Sequence, residues 1–179
     1  MRKSKRQTRI LAISSLLTAL GVVLLYLGSF FEIMDLTVAA AAGILVLLAV
    51  IEMGKRTGVL IWLATSLLSL LLLPNKFIAL GYALFFGCYP LVKAFAERFS
   101  NFLSWAVKLV FAFVAMVVLV ILSHYLLGMP LEAPWMMVAF FVLALFTTVV
   151  FDIALTKLVT LYVYRLRKTL GIEKMLKKK

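Results

Sequence analysis

Long uncharged stretches, separated by short clusters of charged residues, dominate the pattern of this chain. Six such stretches cover residues 10–31, 36–51, 57–75, 77–92, 109–131 and 133–151. Most of them are close to the roughly 20 residues that a helix needs to cross about 30 Å of hydrocarbon. A bilayer requires every backbone polar group to be bonded within the protein, and a helix meets that requirement within one segment. The pattern therefore predicts transmembrane helices.

The fold class that follows is an all-α membrane protein, a compact bundle of six transmembrane helices, with five as the alternative count. Flanking charged side chains can reach out to the headgroups, so that the shorter stretches extend by a turn. The predicted helices are residues 10–31, 36–53, 58–74, 77–95, 105–127 and 135–158. Together they form one domain, 10–164, between basic cytoplasmic tails at 1–9 and 165–179.

Basic residues predict the orientation of the bundle, because cytoplasmic loops carry an excess of Lys and Arg. With the N-terminus inside, only Lys76 falls on the outer side, and Lys157 falls in the last span. The loops that contain Lys55, Lys93 and Lys108 are then cytoplasmic, as are both tails. We therefore expect a multi-pass protein of the cell (plasma) membrane with both termini in the cytoplasm.

Composition excludes several other classes of protein. Hydrophobic residues make up 65% of the chain and charged residues 15%, which is more apolar surface than a soluble domain of this length could bury. The net charge of +12 comes largely from the two ends rather than from a basic face with interleaved aromatic residues, so nucleic-acid binding is not expected. A single cysteine, Cys88, can form neither an internal disulfide nor a thiolate metal site. No metal and no other cofactor is expected.

Catalytic groups do not cluster in the sequence, and we expect no enzymatic activity. The chain has one histidine, His124, and it contains no H-E-x-x-H, no G-x-S-x-G and no acidic pair within a span. Near the outer end of its helix, His124 could contact a ligand or simply hydrogen-bond a carbonyl group or water. Both alternatives stay open at this point.

Asp152 and Lys157 are the charges that the pattern places inside the membrane. Their spacing of five residues sets them about 140° apart on an ideal helix, which disfavours a direct pair. Lys157 is expected to extend to the inner interface. Asp152 is expected to bond to a neighbouring helix or to a cytoplasmic partner, since an unpaired ionised group in hydrocarbon is costly.

Small residues form a smooth stripe on the first helix, where Ser15 and Ala19 are one turn apart. Such stripes let helix backbones approach closely in membranes, either within the bundle or against a partner. In the fourth span, Pro90 lacks a backbone donor and is expected to kink the inner end of that helix.

The whole chain resembles the substrate-binding S components of energy-coupling factor (ECF) transporters. The resemblance rests on its 179 residues, the basic start, six helices, the stretch 16–21 (LLTALG) and the inner loop 54–58. It implies a membrane-embedded subunit whose outer half encloses a vitamin-like small molecule and which hydrolyses nothing. It also implies that Ser15 and Ala19 dock on a T component coupled to ATPase subunits, with Asp152 a further docking candidate.

Residues beside the first, third and fifth connections map to the ligand pocket that this resemblance implies. Rings with a few convergent polar groups suit a small-molecule pocket, although the same residues also suit an interface belt and solvated loops. These residues are Tyr26, Phe30, Glu32, Asp35, Asn75, Lys76, Tyr82, His124, Glu132 and Trp135. The alternative function is a non-catalytic membrane scaffold or assembly factor of the cell envelope, with a filled interior.

Overall fold

The fold is seen in a computed structural model that describes residues 2–30, 35–128, 134–162 and 164, and every regular element in these ranges is helical. The α-helices are α1 (Arg2–Gly28), α2 (Asp35–Met53), α3 (Lys55–Leu72), α4 (Lys76–Gly81), α5 (Tyr89–Ala96), α6 (Asn101–Leu127) and α7 (Pro134–Leu161). A π-helical segment, Tyr82–Phe86, joins α4 to α5, and the three together form the fourth span. In the described ranges, six helices are long and apolar enough to cross a membrane. The chain is a multi-pass membrane protein, and the predicted six-helix fold class is confirmed.

Successive spans run in opposite directions, which gives the bundle two distinct ends. At the end that we call the termini end, the Ser14 hydroxyl of α1 lies 3.9 Å from the sulfur of Met53, the last residue of α2. At the opposite end, the loop end, Gly28 packs against Val38. Lys76 also reaches back there from the start of α4 to the C-terminal carbonyls of α3. The loop end therefore contains the first, third and fifth connections of the predicted topology.

Helices extend beyond the uncharged stretches, most clearly at the start of α1. The segment 2–9 continues this helix although six of its eight residues are Arg, Lys or Thr, and it contains neither Gly nor Pro. Lys and Arg are good helix formers, so a helix continues through charged residues where it leaves the hydrocarbon. A run of charged residues therefore does not mark the end of α1.

Aromatic rings fill the centre of the bundle between the fourth and sixth spans. Phe86 and Phe151 meet edge to face with ring centroids 5.3 Å apart, and Tyr89 and Phe151 are 5.5 Å apart. All three side chains are buried. Small residues of α2 cover one side of this aromatic core, which lets the backbone of α2 approach it closely.

Backbone hydrogen bonds change register in the π-helical segment. The Gly87 amide donates to the carbonyl of Tyr82 at 2.8 Å, five residues earlier, instead of to Ala83. The carbonyl of Ala83 accepts from the indole Nε1 of Trp62 on α3, at 2.9 Å. A side chain of a neighbouring span thus replaces a bond that an α-helix would supply.

Pro90 explains where the fourth span departs from α-helical geometry. Because its nitrogen carries no hydrogen, it cannot donate to the carbonyl of Phe86. That carbonyl instead faces Gly43 of α2, where a β-carbon would lie 2.4 Å from the Phe86 oxygen. The expected irregularity is present, but it occupies the turns before Pro90, and Pro90 itself stands in the first turn of α5.

Candidate functional site

A buried charge cluster, Tyr89, Lys93, Lys108 and Asp152, lies near the termini end. The Lys93 ammonium is 2.7 Å from Asp152 Oδ1, and that of Lys108 is 3.0 Å from Oδ2. The Tyr89 hydroxyl donates a third hydrogen bond to Oδ1, at 2.9 Å. Lys93 is 3% exposed, and Lys108 and Asp152 are each 4% exposed. One carboxylate therefore connects α5, α6 and α7.

Additional partners complete the environment of the two lysines. Lys93 also donates to Thr156 Oγ1 at 2.7 Å and forms an ion pair of 3.0 Å with Glu97, whose side chain is half exposed. The Lys108 ammonium lies 5.3 Å from the centre of the Trp105 ring, within the range of a cation–π contact. Two ammonium groups are thus balanced by two carboxylates, which is the condition under which buried charges are tolerated.

The sequence pattern assigns Lys93 and Lys108 to the side of the cytoplasmic loops, near the ends of the predicted helices 77–95 and 105–127. In the structure both side chains are buried within α5 and α6, so Asp152 and Lys157 are not the only charged residues inside the spans. Asp152 bonds to neighbouring helices, which was one of the two interactions expected for it from the sequence. A cytoplasmic partner is not needed to explain this carboxylate. Lys157 lies on an exposed position of α7.

Depth along the helices is the sequence signal that could have found the cluster. Lys93 lies in the last turn of α5, which ends at the termini end. Lys108 is about two turns from the start of α6, and Asp152 about two and a half turns from the end of α7. Antiparallel neighbours at similar depth can meet, and an acid inside a span requires such a partner.

A cavity of about 280 Å³ opens at the loop end between α2, the fourth span, α6 and α7. Among the described residues that line it, two are polar: Asp35, the first residue of α2, and Thr147 of α7. The remaining lining residues are Leu36, Ala39, Phe77, Ile78, Gly81, Phe85, Phe86, Met116, Leu119, Phe140, Leu143 and Ala144. The volume is just below the range of about 300–1,000 Å³ that is usual for small-molecule sites.

The packing of α7 explains why this space remains open. Its buried residues, Ala144, Thr148, Phe151, Asp152 and Leu155, lie on one face and toward the termini end. Over residues 134–143, most side chains are exposed instead. This helix is thus held against the bundle at one end and only lightly at the other, which leaves the cavity beneath it.

Of the expected pocket residues that the structure describes, Asp35 alone lines the cavity. Tyr82 is fully buried elsewhere, with its ring packed over Gly87. Tyr26 and Phe30 are exposed and meet edge to face, with ring centroids 5.3 Å apart. None of these three side chains belongs to the cavity wall, so they do not join Asp35 in one pocket.

The polar residues expected in the pocket at the third connection instead form hydrogen bonds with backbone groups at helix ends. Asn75 Oδ1 accepts from the Phe77 amide at 3.1 Å, which caps α4. Lys76 Nζ lies 2.8 Å from the carbonyl oxygen of Leu70 and thereby satisfies the end of α3. Both side chains therefore have a local structural role.

Near the fifth connection, His124 is partly buried, with its ring 5.2 Å from that of Tyr125. Trp135 is 72% exposed and does not line the cavity. Glu32 and Glu132 lie outside the described residues. Among the described residues, no group of three or more His, Cys, Asp and Glu side chains could hold a metal ion.

Two of the expected docking residues, Ser15 and Ala19, lie on the exposed face of α1. The Ser15 hydroxyl donates to the carbonyl of Ala12 at 3.0 Å, so the polar group is satisfied within its own helix. Ser14, one residue earlier, faces α2 instead. A smooth surface one turn long therefore remains at Ser15 and Ala19, outside the packing of the bundle.

Comparisons with protein-family models, with curated proteins and with solved structures find no match.

Proposed function

We propose that the chain is the membrane-embedded binding subunit of an uptake system for a small molecule, similar in role to the S components of ECF transporters. The observation that carries this proposal is the cavity at the loop end, which lies among four spans and is closed toward the termini end by the aromatic core. A filled interior at this end would instead suit a scaffold. Binding in a largely apolar cavity requires no catalytic group, and the subunit itself hydrolyses nothing.

The same proposal orients the bundle, with both termini in the cytoplasm and the cavity toward the outside of the cell membrane. Basic residues at the two ends of the chain support this orientation. In it, the exposed Ser15 and Ala19 surface of α1 docks on a T component that is coupled to ATPase subunits. Close approach of two helix backbones at small residues would supply the contact.

A labelling experiment tests the orientation. We expect epitope tags fused before Met1 and after Lys179 to react with antibody only after intact cells are permeabilised, because both termini are cytoplasmic. A single cysteine introduced at exposed Trp135, at the loop end, should react with an impermeant maleimide in intact cells. The control is the same protein without that cysteine, which reports any labelling of Cys88. Reaction of either tag in intact cells would contradict the orientation.

Filling the cavity tests the binding function. Ala144 is buried in the cavity wall, so Ala144→Phe should occupy the space and lower retention of a bound molecule, and uptake, by about tenfold or more. Retention is measured by native mass spectrometry of the protein released from mild detergent, and uptake in cells that express the full system.

Ala139→Phe is the matched control, because it adds the same ring to an exposed position of α7 outside the cavity wall. We expect it to behave as the parent protein. If both variants retain and take up the molecule normally, the cavity is not the binding site, and the scaffold alternative gains support.

A further inference from the structure

Among the described residues of the cavity wall, the polar side chains offer hydrogen-bond acceptors and no donors. An ionised carboxylate, as on Asp35, can only accept. The Thr147 hydroxyl donates its hydrogen to the carbonyl of Leu143 at 2.9 Å, which leaves only its lone pairs for a ligand. No basic side chain is among the described residues that line the cavity. Among the described side chains of the wall, a bound carboxylate or phosphate would therefore find no donor.

The ammonium group of Lys76, near the cavity, already has hydrogen-bond acceptors within the protein. Lys76 begins α4 beside the lining residue Phe77, but its ammonium is directed to the carbonyls of Leu70 and Leu71. The amide of Phe77 is capped by Asn75. Asp35 itself lies in the first turn of α2, where a carboxylate complements the partial positive charge of the helix start. Lys76 and the Phe77 amide thus already have partners within the protein.

Aromatic rings in the apolar wall also favour a cationic ligand. Phe77, Phe85, Phe86 and Phe140 all line the cavity, and the rings of Phe85 and Phe86 meet edge to face with centroids 5.0 Å apart. The face of an aromatic ring attracts cations. A cavity of about 150 Å³ holds a benzene ring. The space of about 280 Å³ therefore has room for a ring system with a short chain.

We infer that the cavity selects a small amphipathic amine, with an apolar ring system among the phenylalanines and a protonated amino group at the Asp35 carboxylate. This inference rests on the proposed binding function and specifies its ligand class. An ammonium group can donate to the Asp35 carboxylate, whereas this carboxylate would repel a carboxylate ligand. The class excludes acidic nutrients as ligands of this site.

Three indole probes test the inference: tryptamine as the cation, tryptophol as the neutral alcohol and indole-3-acetate as the anion. Binding is measured by isothermal calorimetry on the full chain in nanodiscs of zwitterionic phosphatidylcholine, with empty nanodiscs as the blank. We expect tryptamine to bind about tenfold or more tightly than tryptophol, because a charge-assisted hydrogen bond replaces a neutral one. Indole-3-acetate is expected to bind most weakly.

Asp35→Asn should reduce the preference for tryptamine to less than about threefold while tryptophol binding is unchanged, because the amide keeps the size of the side chain without its charge. Glu52→Gln is the matched control: it removes one carboxylate at the termini end, where Glu52 accepts from Tyr162, and should leave the preference intact. If Asp35→Asn does not fold, the ranking of the three probes on the parent protein decides the question.

The outcomes separate this inference from the function on which it rests. Equal binding of all three probes, or tightest binding of indole-3-acetate, would overturn the ligand class while leaving a binding cavity. If instead no probe binds and native mass spectrometry finds only a phospholipid whose retention Ala144→Phe abolishes, the cavity holds a lipid chain. Both the ligand class and the uptake function would then be wrong.

Discussion

Asp152→Ala is expected to destabilise the bundle by about 3–5 kcal/mol, the usual cost of removing one partner from a buried ion pair. The substitution leaves the ammonium groups of Lys93 and Lys108 buried without the carboxylate that now lies 2.7 Å and 3.0 Å from them. It also removes the acceptor of the Tyr89 hydroxyl. The measurement is the unfolding midpoint in mixed micelles, as the fraction of dodecyl sulfate is raised.

Lys157→Met is the matched control, because it removes a charge from the same helix at an exposed position. We expect a change within about 0.5 kcal/mol, as for other surface substitutions. The triple variant Asp152→Ala, Lys93→Met, Lys108→Met should recover much of the lost stability, since replacing a whole buried ion cluster by apolar groups is often neutral. A midpoint for Asp152→Ala equal to that of Lys157→Met would show that the cluster does not hold α7.

The cluster and the cavity involve different halves of α7, and their positions are related. Ion pairs and hydrogen bonds hold this helix to α5 and α6 near the termini end. Toward the loop end, Phe140 and Leu143 are 40% and 62% exposed and form one wall of the cavity. Because these contacts hold α7 near the termini end, the helix can pack lightly toward the loop end. The bundle can therefore contain an open cavity and remain folded.

The six spans were predictable from sequence because the requirement behind them is simple. A run of about 20 uncharged, mostly apolar residues has few alternatives to a membrane helix. The ends of the helices were less predictable, since Lys and Arg favour helix as well as marking the headgroup region. Residues 2–9 and 101–104 thus belong to α1 and α6 although they precede the predicted spans.

The charge cluster was not predictable from local pattern, because its members are distant in the chain. Lys93 and Lys108 bond to Asp152 across 59 and 44 residues. Each lysine stands close enough to a span end to be assigned to a loop, and the depth that it shares with Asp152 follows only once the helix bounds are known. The requirement that Asp152 have a partner was predictable, but the identity of the partner was not.

Most of the residues that line the cavity were missed for a different reason. Its wall consists mainly of apolar residues from inside the spans, such as Phe85, Met116 and Phe140. In the sequence, these are indistinguishable from residues that face lipid, because a membrane helix is apolar on all sides. The polar residues at the connections were more conspicuous, and among those described only Asp35 lines the cavity.

Gly43 is the second position at which a single substitution is expected to have a large effect. A β-carbon there would lie 2.4 Å from the Phe86 carbonyl oxygen and 3.1 Å from the carbonyl carbon, and backbone atoms cannot turn aside as a side chain would. The fourth span cannot easily retreat either, because Trp62 holds the neighbouring carbonyl of Ala83. We expect Gly43→Ala to lower stability by about 2–3 kcal/mol, at the upper end of the cost of overpacking.

Gly81→Ala provides the control, since no atom would come within 4 Å of its β-carbon and the residue belongs to a helix of the same fourth span. Alanine is the better helix former by about 0.8–1.0 kcal/mol, so this variant should be as stable as the parent protein or slightly more stable. The dodecyl sulfate midpoint measures both. Equal midpoints for the two alanine variants would mean that α2 and the fourth span are not in close backbone contact. The carbonyl of Phe86, which Pro90 leaves without its helical donor, would then have to face something other than Gly43.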